Sequence, residues 1–100
     1  MSLTTEILDR LIGFPTVSAA SNRDLIEYVR DFLSARGFAV TLLPDATGLK
    51  AGLYAEKGPA GRGVLLSAHS DVVPVAGQDW TTEPFRLSRA GDRLHGRGTT

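Results

Sequence analysis

The sequence contains no cysteine and only two histidines among its 100 residues. The absence of cysteine excludes a disulfide framework and any thiolate metal site, so a bound metal ion would need histidine, aspartate and glutamate ligands. Eleven basic and eleven acidic residues give a formal net charge of zero. This balance gives no support to an interaction driven by charge, so we expect no nucleic acid or other polyanion as partner.

Long apolar runs are also absent. No stretch approaches the ~18 apolar residues that a membrane span requires, and the opening MSLTT lacks a basic segment followed by an apolar core. We therefore expect no membrane partner and a cytoplasmic location.

Hydrophobic residues make up 42% of the chain, which is typical of globular proteins and too many for a disordered tail. The length allows one small domain or a part of a larger one.

Two segments carry apolar residues at helical spacing, and each predicts a helix. For the first, Thr4 is the predicted N-cap and Gly13 ends the helix. For the second, Ser21 and Asp24 resemble a capping box. Gly37 lies at the position after the last turn where helices commonly have a residue in the left-handed conformation. The apolar stripe of the second helix is Leu25, Ile26, Val29, Phe32 and Leu33.

After the second helix the apolar period changes from about 3.6 to about 2, the value of a strand. The predicted strands are residues 39–43, 49–56, 64–68, 85–88 and 93–95. Residues 64–68 (VLLSA) are apolar without alternation, which indicates a central strand covered on both faces. Two helices followed by several strands predict a layered α/β domain with a mixed sheet.

His69, Ser70 and Asp71 come directly after the predicted central strand, where α/β sheets usually bind their ligands. His69 and Asp71 are two positions apart, so in extended backbone both side chains point to the same side. A histidine that binds a metal usually donates its other ring N–H to a carboxylate, and this pair supplies both groups. The alternative is a structural histidine and an aspartate that caps a turn, and the spacing alone leaves both open. A nucleophilic Ser70 is disfavoured, since no G-x-S-x-G elbow is present.

Three segments in order resemble one family. Residues 65–74 (LLSAHSDVVP) resemble the first metal-binding segment of the zinc-dependent aminoacylase and exopeptidase family. Residues 80–85 (WTTEPF) and 91–100 (GDRLHGRGTT) are similar to two stretches that follow it in that family, and residues 12–18 (IGFPTVS) fit its opening. The family includes acetylornithine deacetylases, succinyl-diaminopimelate desuccinylases and glutamate carboxypeptidases, and the similarity is greatest to the first of these.

The resemblance implies a catalytic centre of two divalent ions, zinc or cobalt. His69 matches a terminal ligand of one ion, and Asp71 matches the catalytic carboxylate that orients this histidine. The family's bridging aspartate comes directly after the position of Thr100, and its general base and dimerisation domain come later. Residues 1–100 are thus expected to form the N-terminal part of a three-layer αβα catalytic domain with a mixed sheet. This part alone is expected to be inactive and to leave an apolar strand face exposed.

The activity implied by the resemblance is removal of the acetyl group from an N-acyl amino acid, as in arginine biosynthesis, by a homodimeric enzyme. Within the same family, a desuccinylase or a dipeptidase or carboxypeptidase is the alternative. An alternative of another class is a non-catalytic binding module that kept the fold and lost its metals.

The remaining polar and aromatic candidates favour structural roles. His95 matches a position where the family commonly has tyrosine, which indicates packing or a surface role. Gly96 and Gly98 lack the lysine and spacing of a phosphate loop, and we interpret them as sites of close backbone approach beside the metal site. Arg97 is expected to be structural, and Trp80 to pack in the core or in the wall of a cleft.

Overall fold

The structure is a computed structural model that describes residues 2–99. Its elements in chain order are α1 (Leu3–Ile12), α2 (Arg23–Ser34), β1 (Ala39–Pro44), β2 (Ala51–Glu56), β3 (Ser88–Ala90) and β4 (Arg93–His95). β1 pairs with β2 and β3 pairs with β4, both antiparallel. The α/β class is therefore confirmed, and residues 2–99 contain two small two-stranded antiparallel sheets in place of the predicted mixed sheet. Within these residues, no helix is both long and apolar enough to cross a membrane.

The chain divides into two compact units. The central unit is Ser21–Ser70, which contains α2, β1 and β2. The terminal unit combines the residues up to Ala20 with those from Asp71 onward, and it contains α1, β3 and β4.

The start of α1 differs from the prediction. The N-cap is Ser2, whose Oγ accepts a hydrogen bond from the backbone N–H of Thr5 at 3.2 Å. Thr4, the predicted cap, lies inside the first turn, so that prediction is wrong. Both residues have the hydroxyl that a cap needs, and only the extended backbone of Ser2 (φ −68°, ψ 159°) marks which of them stands outside the helix. The predicted end of the helix at Gly13 is confirmed.

The start of α2 is attached to the neighbouring hairpin. The side chain of Asn22 accepts a hydrogen bond from the N–H of Ala51 at 2.8 Å and donates one to its carbonyl oxygen at 2.9 Å. Ser21 Oγ donates to the carbonyl oxygen of Leu49 at 2.6 Å and accepts from the N–H of Arg23 at 3.2 Å. The predicted capping box of Ser21 and Asp24 is therefore wrong, because Asn22 is the residue before the helix and Ser21 is hydrogen-bonded to Leu49, just before β2.

The end of α2 confirms the role predicted for Gly37. This glycine has φ +85°, and its N–H donates to Ser34 while the N–H of Phe38 donates to Leu33. These two bonds form a Schellman motif, which needs a left-handed residue at this position. The reversal brings β1 back along α2, and Leu25, Ile26 and Ala51 are the buried apolar residues of the central unit.

The strand predicted at residues 64–68 is not formed. No residue from 57 to 70 belongs to a ladder within the part of the chain described. Val64, Leu65 and Leu66 are 89%, 80% and 88% exposed. A continuous apolar run becomes a covered strand only where neighbouring strands and helices supply its hydrogen bonds and its cover. The exposed apolar face expected for this segment is confirmed, while the strand itself is a wrong prediction for these residues.

The terminal unit contains a short hairpin that was predicted in part. β4 coincides with its prediction, whereas β3 begins at Ser88, three residues later than predicted. Gly91 in the turn has φ +64°, which a residue without a side chain adopts at little cost. The predicted close approach of Gly96 is confirmed, because a Cβ atom there would lie 3.1 Å from two atoms of Ile12 at the end of α1.

The turn between β1 and β2 contains a carboxylate with a perturbed pKa. Asp45 Oδ1 accepts hydrogen bonds from the Thr47 hydroxyl at 2.7 Å and from the N–H groups of Thr47 and Gly48 at 3.1 and 3.0 Å. The Thr47 hydroxyl is the largest cause that lowers the pKa of the Asp45 carboxyl, and the backbone N–H groups add to it. Each bond favours the charged carboxylate over the protonated acid.

Replacing Thr47 by valine is expected to raise the pKa of Asp45 toward its ordinary value, because the strongest donor is lost. In the native turn this stabilisation is complete above the ordinary pKa and is lost as the pH falls through the lowered one. An NMR titration of the Asp45 carboxyl carbon measures the change. Thr47→Ser keeps the hydroxyl and is the control that leaves the pKa low. An equally low pKa in Thr47→Val would show that this hydroxyl is not the cause.

Candidate functional site

The two residues of the predicted site fall on either side of the division between the units. His69 belongs to the central unit and Asp71 to the terminal unit, since the division lies between Ser70 and Asp71. Both residues are exposed. The two residues follow the exposed apolar residues 64–66. The strand that was expected to precede them is not formed.

Asp71 is held by a residue that is not among the predicted site residues. Ser18 Oγ donates a hydrogen bond of 2.8 Å to Asp71 Oδ2, across 53 positions of the chain. A hydrogen bond to an ionised carboxylate is stronger and more directional than one between neutral groups. The structure therefore fixes one oxygen of the carboxylate that the sequence marked as functional.

Backbone pairing explains why Ser18 reaches this carboxylate. Val17 and Val72 form an isolated parallel bridge, in which the N–H of Val72 donates to Thr16 at 2.9 Å and the N–H of Ser18 donates to Val72 at 3.2 Å. Thr16 is buried, with 5% of its surface exposed. The bridge thus fixes the positions of Ser18 and Asp71 on the two paired segments. The only sequence signal for Ser18 is its place in residues 12–18, which fit the family opening.

Gly98 lies close to Val72, one of the two residues of this bridge. Its φ is +91°, and a Cβ atom built on it would lie 3.2 Å from Val72 Cγ1. The close approach predicted for Gly98 is confirmed. A side chain at Gly98 would therefore crowd Val72, the residue directly after Asp71.

Arg97 has the structural role that the sequence predicted. Its guanidinium carbon lies 4.9 Å from the centre of the Trp80 ring, a distance typical of a cation–π contact. Gln78 Oε1 accepts hydrogen bonds from Arg97 Nη2 and, at 3.1 Å, from Trp80 Nε1. The backbone N–H of Arg97 donates to Pro84 at 2.7 Å. Arg97 thus joins the segments around residues 78–84 within the terminal unit.

His95 lies on the surface, as predicted. It is exposed and lines an open cavity of about 740 Å³ together with Leu8 and Trp80. Trp80 is half-buried and forms part of the cavity wall, which agrees with the role predicted for it.

The potential metal ligands among the described residues do not form a cluster. Among residues 2–99, no three histidine, aspartate or glutamate side chains come together in a group that could hold a metal ion. A catalytic zinc site ordinarily has three protein ligands, so these residues do not complete one. The donor chemistry present at the predicted position is one imidazole, His69, and one carboxylate, Asp71, whose orientation is already fixed by Ser18.

Comparison with known families bears on this segment. The family model of Peptidase family M20/M25/M40 matches residues 65–100. The match includes His69, Asp71 and Arg97. It supports a zinc-exopeptidase-like family and a hydrolase of the metallopeptidase or amidohydrolase type, and members of this family are generally metal-dependent. Two helices and two small antiparallel sheets are compatible with a fragment of such a domain.

Proposed function

We propose that this chain is part of a metal-dependent amide hydrolase that removes the acetyl group from an N-acyl amino acid, with N-acetylornithine as the first candidate substrate. The match of residues 65–100 to Peptidase family M20/M25/M40 carries the proposal. The choice of acetylornithine within the family is supported only by the greater sequence similarity around residues 69–75 and 80–85.

The proposed roles follow the two residues of the predicted site. His69 would hold one divalent ion, and Asp71 would accept a hydrogen bond from the ring nitrogen that is not bound to the ion, which would fix the tautomer and raise the basicity of the ligand. The chemistry that divalent ions would supply is a lower pKa of a coordinated water and polarisation of the scissile carbonyl. Neither His69 nor Asp71 needs to transfer a proton to the leaving amine in this scheme.

We also propose that residues 1–100 are the N-terminal part of the catalytic domain of a longer, homodimeric enzyme. The homodimer is what the family resemblance implies, and two observations support the longer catalytic domain. The described residues bring no three potential ligands together, and Val64 and Leu66, in the segment expected to be a central strand, are nearly fully exposed. Both deficits are removed if further strands and ligands come from the remainder of the protein.

The experiment that tests the function uses the purified full-length protein with added Zn²⁺. We expect hydrolysis of N-acetylornithine, its loss on chelation and its recovery when Zn²⁺ is returned. N-succinyl-diaminopimelate and a dipeptide are assayed in parallel. Turnover of either one without turnover of N-acetylornithine would keep the hydrolase and refute the deacetylase. Failure to bind Zn²⁺ and to hydrolyse any of the three would favour a non-catalytic binding module.

A further inference from the structure

The Ser18–Asp71 hydrogen bond joins two segments that lie far apart in the chain. The same two segments are also paired through their backbones. Ser18 and Asp71 are neighbours of the bridge between Val17 and Val72, and the N–H groups of Val72 and Ser18 donate the hydrogen bonds across it. The Ser18 hydroxyl lies 2.8 Å from Asp71 Oδ2 and 3.5 Å from the Val72 carbonyl oxygen. The shorter contact, to the charged acceptor, is the dominant one.

The exposure of Ser18 and Asp71 indicates whether their hydrogen bond orients a side chain or stabilises the fold. Ser18 and Asp71 are both exposed, and a hydrogen bond between exposed side chains contributes little to folding because water replaces it readily. The end torsion of an aspartate side chain is broad, however, so a single fixed oxygen restricts strongly where the carboxylate points. The bond therefore affects the orientation of Asp71 more than the stability of the fold.

We propose that Ser18 is a positioning residue, which holds the carboxylate of Asp71 in the orientation that catalysis requires. This inference rests on the proposed function, in which Asp71 orients His69. Groups that hydrogen-bond to the ligands of a metal, and the partners that hold those groups, commonly affect activity although they do not touch the substrate. Ser18 acts through Asp71 and makes no contact with the reacting atoms.

The test is a double-mutant cycle in the full-length protein loaded with Zn²⁺. We expect Ser18→Ala to lower kcat about 10-fold with KM changed less than about 2-fold, a loss at the low end of those seen for such supporting residues. Ser18→Thr, which keeps the hydroxyl, is expected to restore kcat to within about 3-fold of the wild type. In an Asp71→Ala background, Ser18→Ala is expected to cause no further loss, because coupled residues are not additive.

A second readout is independent of turnover. Chelator competition measures the affinity for Zn²⁺, which we expect Ser18→Ala to weaken by about 10-fold. Ser21→Ala is the matched control: it removes a serine that holds the Leu49 carbonyl oxygen and has no link to Asp71. It is expected to leave kcat and Zn²⁺ affinity unchanged.

The outcomes separate the two proposals. If Asp71→Ala impairs hydrolysis while Ser18→Ala keeps the kcat and Zn²⁺ affinity of the wild type, the role of Ser18 is overturned and the proposed function stands. An equal loss from Ser18→Ala in both backgrounds also overturns it, because the serine would then act independently of Asp71. A wild-type protein that neither binds Zn²⁺ nor hydrolyses amides refutes the function and, with it, the inference.

Discussion

Replacing His69 by alanine in the full-length protein is expected to lower kcat/KM for N-acetylornithine by at least about 1,000-fold, or about 4 kcal/mol of transition-state stabilisation. The physical reason is that the imidazole is proposed to bind one of the ions that polarise the amide. Steady-state kinetics measures the loss, and the zinc content of the purified variant shows whether the ion is lost with it.

The other histidine of the chain provides the control. His95 is exposed and lies in the wall of an open cavity, so His95→Ala is expected to keep kcat/KM within about 2-fold of the wild type, as for other surface substitutions. If His69→Ala retains half of the wild-type activity and its full zinc content, His69 is not a ligand. The interpretation as a structural histidine would then replace the metal site.

The largest expected effect on stability comes from a glycine. Gly98→Ala is expected to lower the free energy of unfolding by about 3 kcal/mol, as the sum of a left-handed backbone cost and overpacking. The backbone cost arises because φ at this residue is +91°, and the overpacking arises because the new Cβ would lie 3.2 Å from Val72 Cγ1. Valine is stiff at its first side-chain torsion, so Val72 does not turn aside easily. Urea denaturation of the full-length protein measures the loss.

Gly91→Ala separates the two contributions. Gly91 belongs to the same unit and also has a positive φ, +64°, but a Cβ atom there would meet nothing within 4 Å. This variant is therefore expected to lose only the backbone part, about 1 kcal/mol. Equal losses in the two variants would show that Val72 yields to the new methyl group and that the close approach at Gly98 has no energetic consequence.

Features of the fold that depend on nearby residues could be predicted from the sequence. The reversal after α2 at Gly37 required only the left-handed conformation that glycine favours. The alternation of apolar residues predicted β1 except for its last residue, Pro44, and all of β2 with two residues too many at its start. The caps were less accessible. Ser2 and Thr4 are chemically equivalent as caps, and Asn22 binds Ala51 across 29 positions of the chain. Neither N-cap could therefore be predicted from neighbouring residues alone.

Long-range pairing decides what the sequence could not predict. Residues 64–68 have the composition of a covered strand, yet composition does not provide the neighbours that such a strand needs, and Leu65 is 80% exposed. At the candidate site, His69 and Asp71 could be proposed from their spacing and from resemblance. Ser18 could not, because its partner lies 53 positions away and no spacing rule connects them.

The discontinuous make-up of the terminal unit has a consequence for biosynthesis. α2, β1 and β2 come from one uninterrupted stretch of chain and can assemble as soon as that stretch leaves the ribosome. α1 is made first, but the glycine that covers its buried Ile12 is Gly96. At ordinary translation speeds, Gly96 is synthesised on the order of ten seconds after this helix. The order of folding is therefore expected to be the reverse of the order of synthesis for these two helices.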